Sequence, residues 1–415
     1  FYCLQSLVCF MTTTPAALPA SDRLIYLDQF RGYTVFGMIV VNFLGAYSKQ
    51  VHPILLHHNT YCSYADTIMA QFFFAVGFAL RFTLVKRLRR EGPWAAHKRI
   101  VQRVFALLLV GALVHGFNSV GTNWQTLTTE KDLFYWLYQV FTRDFFQTLT
   151  HIAVTTLWVL PVIGRSWPIR MAWLLGSALL HVYLSHEFYL KFALERPVID
   201  GGPLGFLTWS IPVLAGSFIS DLVTAPGQKQ MLGKLVIASL VVMALGYAVS
   251  CLNYPPAPGR DPEKLFVLAA PPFLPPYDPQ DPEASYQRRH NLDRKQTITL
   301  WTMSQQTGAS SYLIFGAGFS ILVLAFFYWL YGTPGASGSI QPSGRPLVPE
   351  SRIFRSLGSN ALIAYIVHAM AIDVVQKLYP KDSPLWVILI GLVLVMAITW
   401  LICAWLERRG WYVRV

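Results

Sequence analysis

The sequence predicts an all-α protein, a polytopic membrane helical bundle of about ten transmembrane helices with a proline-rich outer lid segment. Three observations predict it. Of 415 residues, 54% are hydrophobic and only 13% are charged, about half the charged fraction of a soluble domain. Ten segments are apolar over roughly the 20 residues that a spanning helix needs. The Lys and Arg residues between those segments are distributed unevenly. Together these exclude an ordinary soluble enzyme, a nucleic-acid binder and a disordered scaffold.

The ten segments are 30–48, 64–85, 99–117, 145–164, 167–186, 204–223, 233–252, 311–332, 357–377 and 384–406. The fourth and fifth are parted only by a turn at Gly164-Arg165-Ser166-Trp167-Pro168. Residues 133–143, aromatic and amphipathic, are expected at the membrane interface. Residues 1–22 read as a disordered tail or an over-extended start, and 23–415 as one integral membrane domain. Within it 253–310 is an extracytoplasmic insertion rich in proline. Residues 333–352, rich in Gly, Pro and Ser, form a cytoplasmic linker.

The net charge of +12 reports topology rather than nucleic acid. Short loops and the tail on one side carry sixteen Lys and Arg residues, against seven on the other. Positive residues stay inside, so both termini are expected in the cytoplasm. The five cysteines show no C-x-x-C pair and no metal-ligand spacing, and no metal is expected.

Charged and polar residues within spans are costly and mark candidate sites. Asp28, Arg31 and Asn42 lie within roughly 80° of one another on a helix. They read either as an ion pair anchoring the first span or as the lining of a substrate cavity. Arg81 is expected to snorkel to the inner surface. Gln147 and His151, four residues apart, share a face, and Asn360, Tyr365, His368 and Asp373 make the ninth span polar. In the first outer loop His57 and His58 precede Asp66, which opens the second span. Imidazole is a suitable general base near pH 7; a carboxylate can orient it or simply cap the helix. Lys86, Arg87, Arg89, Arg90, Arg99 and Arg103 form an inner basic run suited to the phosphates of a nucleotide-like donor or to setting topology. No Walker loop, G-x-S-x-G elbow or H-E-x-x-H is present, so ATP-driven transport and soluble-type hydrolase chemistry have no support.

Arg23-Leu24-Ile25-Tyr26-Leu27-Asp28-Gln29-Phe30-Arg31-Gly32, with Met38 and Val41-Asn42, resembles the opening of the heparan-α-glucosaminide N-acetyltransferase family of multi-span membrane acyltransferases. Ala65-Asp66 with Gln71-Phe72-Phe73-Phe74-Ala75-Val76-Gly77 resembles its second block, and Leu357-Gly358-Ser359-Asn360-Ala361-Leu362 its penultimate span. The resemblance runs from about 23 to 415. It implies transfer of an acetyl group from cytoplasmic acetyl-CoA to a sugar amine or hydroxyl on the other side. The outer-loop histidine, His57 or His58, would be catalytic with Asp66. His57 and His58 lie nine and eight residues before Asp66, and Thr60-Tyr61-Cys62 stands where the family has Trp and Gly. Asp28, Arg31, Asn42, Gln147, His151 and Asn360 would bind substrate, and the basic run would hold the donor. The partners expected are membrane lipids, acyl-CoA and a glycan or glycolipid acceptor, with a homodimer allowed, in a bacterial inner membrane. The alternative is a secondary transporter or flippase for a glycan or lipid-linked sugar, using the same polar face without acyl chemistry.

Overall fold

A computed structural model describes residues 24–115, 138, 141, 145–195, 200–225, 230–255, 262–275, 280, 298–332 and 348–412. The helices are α1 (Ile25–Leu44), α2 (Tyr64–Glu91), α3 (Pro93–His115), α4 (Thr148–Ile163), α5 (Trp167–Leu184), α6 (Leu190–Glu195), α7 (Phe206–Thr224), α8 (Met231–Ser250), α9 (Ser310–Tyr331), α10 (Arg352–Ser359), α11 (Ala361–Gln376) and α12 (Leu385–Arg408). A helix occupies every one of the ten predicted segments. Among the described residues, α2, α8, α9, α12 and the stretch Gly202–Thr224 are long and apolar enough to cross a membrane. The pair α10 and α11, bent by 99°, makes a sixth if it counts as one span. Of the remainder, α4 has only 16 residues, and α1 carries Asp28 and Arg31.

The predicted ninth span, 357–377, is broken rather than continuous. Asn360 stands between α10 and α11 at φ −122°, ψ 44° and is fully buried. Gly358-Ser359-Asn360 has weak helix propensity, and the break lets the backbone at Gly358 lie against α1. Most of the predicted 133–143 interfacial segment, the tail 1–22 and much of 253–310 and 333–352 lie outside the described residues.

The chain forms two compact units. The first comprises residues 1–57, 222–238 and 321–415. Its centre is the crossing of α1 and α10. A Cβ on Gly32 would sit 1.8 Å from the Phe354 carbonyl oxygen, and one on Gly358 would sit 2.5 Å from that of Asp28. The glycine after Arg31 is therefore the point where two backbones touch. Phe327 packs around this crossing against Phe30, Tyr33 and Phe354. Arg355 Nε donates to Glu407 Oε1 at 2.7 Å, tying α10 to α12.

The second unit comprises residues 58–221 and 239–320. Here α2 and α7 cross at small residues: a Cβ on Gly77 would lie 1.8 Å from the Val213 oxygen, and one on Gly216 would lie 2.1 Å from that of Phe74. Fully buried Phe73 stacks on Trp209 between them, at 4.5 Å. Arg81 does not reach for the surface alone. Its Nε donates to Asp221 at 2.8 Å, and the buried Arg170 donates to the other oxygen of the same carboxylate. Part of the proline-rich insertion is ordered against this unit. The Phe273 N–H donates to the Cys62 oxygen at 2.8 Å, and its ring contacts Phe315 and Phe319.

Candidate functional site

The residues after α1 fold into a short loop that ends on α2. Ser63 caps α2: its hydroxyl accepts from the Asp66 N–H, while its own N–H donates to Asp66 Oδ2 at 2.9 Å. This reciprocal arrangement is a capping box, in which two orphan N–H groups of a helix start are satisfied together. The Asp66 carboxylate also accepts the Ser63 hydroxyl at 2.9 Å and the main-chain N–H of His58, 3.3 Å from each oxygen. Asp66 thus fixes the loop backbone that carries His58. The His58 ring is 2% exposed and stacks on Tyr61 at 4.5 Å, whereas His57 is exposed.

Cys62 sits between the two groups and could be mistaken for a nucleophile. It is fully buried, and burial, with the Asp66 carboxylate nearby, pushes its thiol well above the usual range. A neutral thiol is a poor nucleophile.

Two further loops meet this one. The Gln306 N–H donates to Asn59 Oδ1 at 3.3 Å, and the Gly201 N–H donates to the Gln306 oxygen at 3.2 Å. Their approach depends on glycine: a Cβ on Gly201 would lie 3.1 Å from Gly308 Cα, and both residues have positive φ, 84° and 63°. Asp200, buried and at φ 55°, turns its carboxylate to the Gln305 amide, and its carbonyl accepts from Trp209 Nε1 at 2.7 Å. Tyr312 Oη closes the group by donating to the Asp66 carbonyl at 2.6 Å. The side-chain oxygens of Gln305 and Gln306 are buried without a donor among the described residues, a condition costing about 1–3 kcal/mol per group.

His151, fully buried on α4, lies against Phe146 and near Trp209, and a Cβ on Gly205 would come 3.0 Å from its ring. Gln147, one turn before it, is the N-cap of α4, half-buried, and its carbonyl accepts the His151 N–H at 2.9 Å. Asp200, Gln305, Gln306 and Asp221 escaped sequence reasoning because they lie in loops or at a helix end, where no periodicity marks them.

The expected substrate residues of the first unit fall differently. Asp28 and Arg31 are half-buried on α1. Asn42 is exposed at the end of the same helix and its amide lies 3.1 Å from His368 Nε2. The other ring nitrogen of His368 lies 3.1 Å from the Ala364 carbonyl. That oxygen can only accept, so Nδ1 carries the proton and Nε2 accepts from Asn42. Asn360 is the buried residue at the helix break.

The basic run occupies the far end of α2 and the start of α3. Arg89, Arg90, Arg99 and Arg103 are exposed, Lys86 and Arg87 half-exposed. Gly92, at φ 83°, makes the turn between the helices. Arg99 pairs with Glu91 at 3.3 Å and Lys86 covers the Phe82 ring at 4.0 Å. At 1.5 Å per residue, Asp66 and Arg89 stand about 35 Å apart along α2, roughly the thickness of a bilayer core.

A family model described as an acyltransferase domain matches residues 24–404. No curated protein matches the chain.

Proposed function

The chain belongs to the acyltransferase domain family over nearly its whole length, and from that premise we propose that it carries an acetyl group from acetyl-CoA to a sugar amine or hydroxyl, with His58 as general base. One observation carries the choice of His58: its backbone is clamped by Asp66 at the capping box of α2, beside a cysteine too basic to compete. The acetyl donor and sugar acceptor are supported by the Asp28-x-x-Arg31-Gly32 opening, which resembles the heparan-α-glucosaminide N-acetyltransferase family.

In the proposed reaction the acceptor nitrogen or oxygen attacks the thioester carbonyl carbon. His58 takes the acceptor's proton, the C–S bond breaks, and the proton passes to the departing CoA thiolate. Asp66 acts as a positioning residue through the His58 main chain. The basic end of α2 and α3, with Lys86, Arg87, Arg89, Arg90, Arg99 and Arg103, holds the donor phosphates in the cytoplasm. The histidine loop lies at the opposite, extracytoplasmic end of α2, in an inner membrane with both termini inside. Asn42, Asp28, Arg31 and Asn360 of the first unit, and Gln147 and His151 of the second, remain substrate-binding proposals.

A transporter or flippase reading draws on the 99° break at Asn360, a feature common where helices line a substrate path. Release of CoA thiol by the purified protein, with acetyl-CoA and glucosamine supplied, separates the two. His58→Gln should reduce turnover roughly 100-fold or more, the usual share of a general base, while His57→Gln leaves most of it. Full turnover in the double variant overturns the histidine mechanism. No CoA release by the wild type favours transport.

A further inference from the structure

The loops at residues 200–205 and 304–309 hold a polar group that the acyl-transfer step does not use. We infer that Asp200, Gln305 and Gln306 form a subsite for a ligand rich in N–H and O–H donors, the ammonium and hydroxyl groups of an amino sugar. Naming this ligand the acceptor rests on the acyltransferase reading; the chemistry of the subsite does not.

Three observations support it. First, the group offers acceptors: a carboxylate at Asp200, 7% exposed, and the buried oxygens of Gln305 and Gln306, which meet no donor among the described residues. Each amide nitrogen is already committed, Gln305 to the Asp200 carboxylate and Gln306 to the Ala193 carbonyl at 3.2 Å. The amides therefore cannot turn over to satisfy their oxygens without losing those bonds. Buried acceptors of this kind call for a donor from a ligand or from water.

Second, the backbone is built to hold them. Asp200 adopts φ 55° and is followed by Gly201 and Gly202 at 84° and 58°. Such conformations are costly for a side-chain-bearing residue and cluster at functional sites. Tyr189 Oη secures the turn by donating to the Gly201 oxygen at 2.5 Å while accepting the Leu204 N–H at 3.1 Å. Third, the subsite adjoins the histidine loop through the Gln306–Asn59 hydrogen bond, so a ligand there would lie close to the proposed base.

The test is binding of glucosamine and of glucose to the full-length protein in detergent micelles, measured calorimetrically without donor. The wild type should bind both, glucosamine more tightly. Asp200→Asn keeps a residue that tolerates positive φ but removes the charge; it should lose at least tenfold in glucosamine affinity and less for glucose. Gln306→Met, which removes the amide oxygen at similar volume together with the bond to the Ala193 carbonyl, should weaken both sugars. Unchanged glucosamine affinity in both variants overturns the subsite, as does a wild type that binds neither sugar, its acceptors being met by water only. The two readings fail separately. Acetyl-CoA turnover by a wild type that binds no sugar sinks the subsite alone. Sugar binding lost in Asp200→Asn, with no CoA release by the wild type, sinks the acyltransferase mechanism alone.

Discussion

Both carboxylate oxygens of Asp66 lie 3.3 Å from the main-chain nitrogen of His58. The same carboxylate completes the capping box with Ser63, so one side chain starts a helix and sets the position of an imidazole eight residues earlier. Asp66→Ala should cost about 1 kcal/mol in stability from the lost cap. Turnover should fall further than that loss explains, through kcat rather than the donor KM, because the His58 backbone is released. Asp66→Asn retains an acceptor oxygen and should restore part of both. Equal kcat in wild type and Asp66→Ala would show that the loop position does not matter.

Cys62 should be silent. Its thiol is raised well above the ordinary value by burial first and the Asp66 carboxylate second. A raised thiol stays protonated as pH climbs, so N-ethylmaleimide should fail to label Cys62 at pH 8 until the protein is unfolded. Mass spectrometry of the peptide checks this, and Cys62→Ala should keep its turnover.

Neutralising Arg89, Arg90 and Arg99 together with Gln should raise the acyl-CoA KM roughly tenfold and flatten its dependence on salt, since exposed charges act mainly on encounter and are screened. The value of kcat should hold. An unchanged KM would assign the basic run to topology alone.

The Arg81–Asp221–Arg170 group makes a stability prediction. Arg170 is 1% exposed and shares Asp221 with Arg81. Asp221→Ala leaves a buried guanidinium without its carboxylate and should cost about 3 kcal/mol, read as a lower midpoint of thermal unfolding in micelles. Arg170→Ala should cost less, because Asp221 is partly exposed and keeps Arg81.

Two glycines within helices should respond in opposite ways. Gly32→Ala drives a methyl group into the Phe354 carbonyl and should destabilise by about 3 kcal/mol or more, beyond ordinary overpacking. Gly176→Ala meets nothing within 4 Å and should gain about 0.5–1 kcal/mol from helix propensity. Thermal unfolding of the two variants compares them directly.

The helices were legible from the sequence because burial in lipid or protein demands long apolar runs, and such runs are local. All ten predicted segments contain helix, and the match over residues 24–404 shows an acyltransferase family, the coarser part of what the resemblance implied. The glycine after Arg31 was visible as part of a motif; its partner, the Phe354 backbone, was not. Asn360 was read as a polar residue on a continuous span, yet it stands at a 99° break, since local propensity there is too weak to show which way close packing will tip it. Arg81 was expected at the surface because the carboxylate that holds it is 140 residues away.

By itself, the sequence determined a helical membrane protein and placed His57, His58 and Asp66 in one short stretch, all written within short windows of chain. Only the tertiary structure decided that Asp66 accepts from the His58 main chain, that Asn42 faces His368, and that Asp200 meets Gln305. Those contacts depend on where separate segments come together in space. A polar residue's type shows what it can bond, but only the fold determines which partner lies within 3 Å.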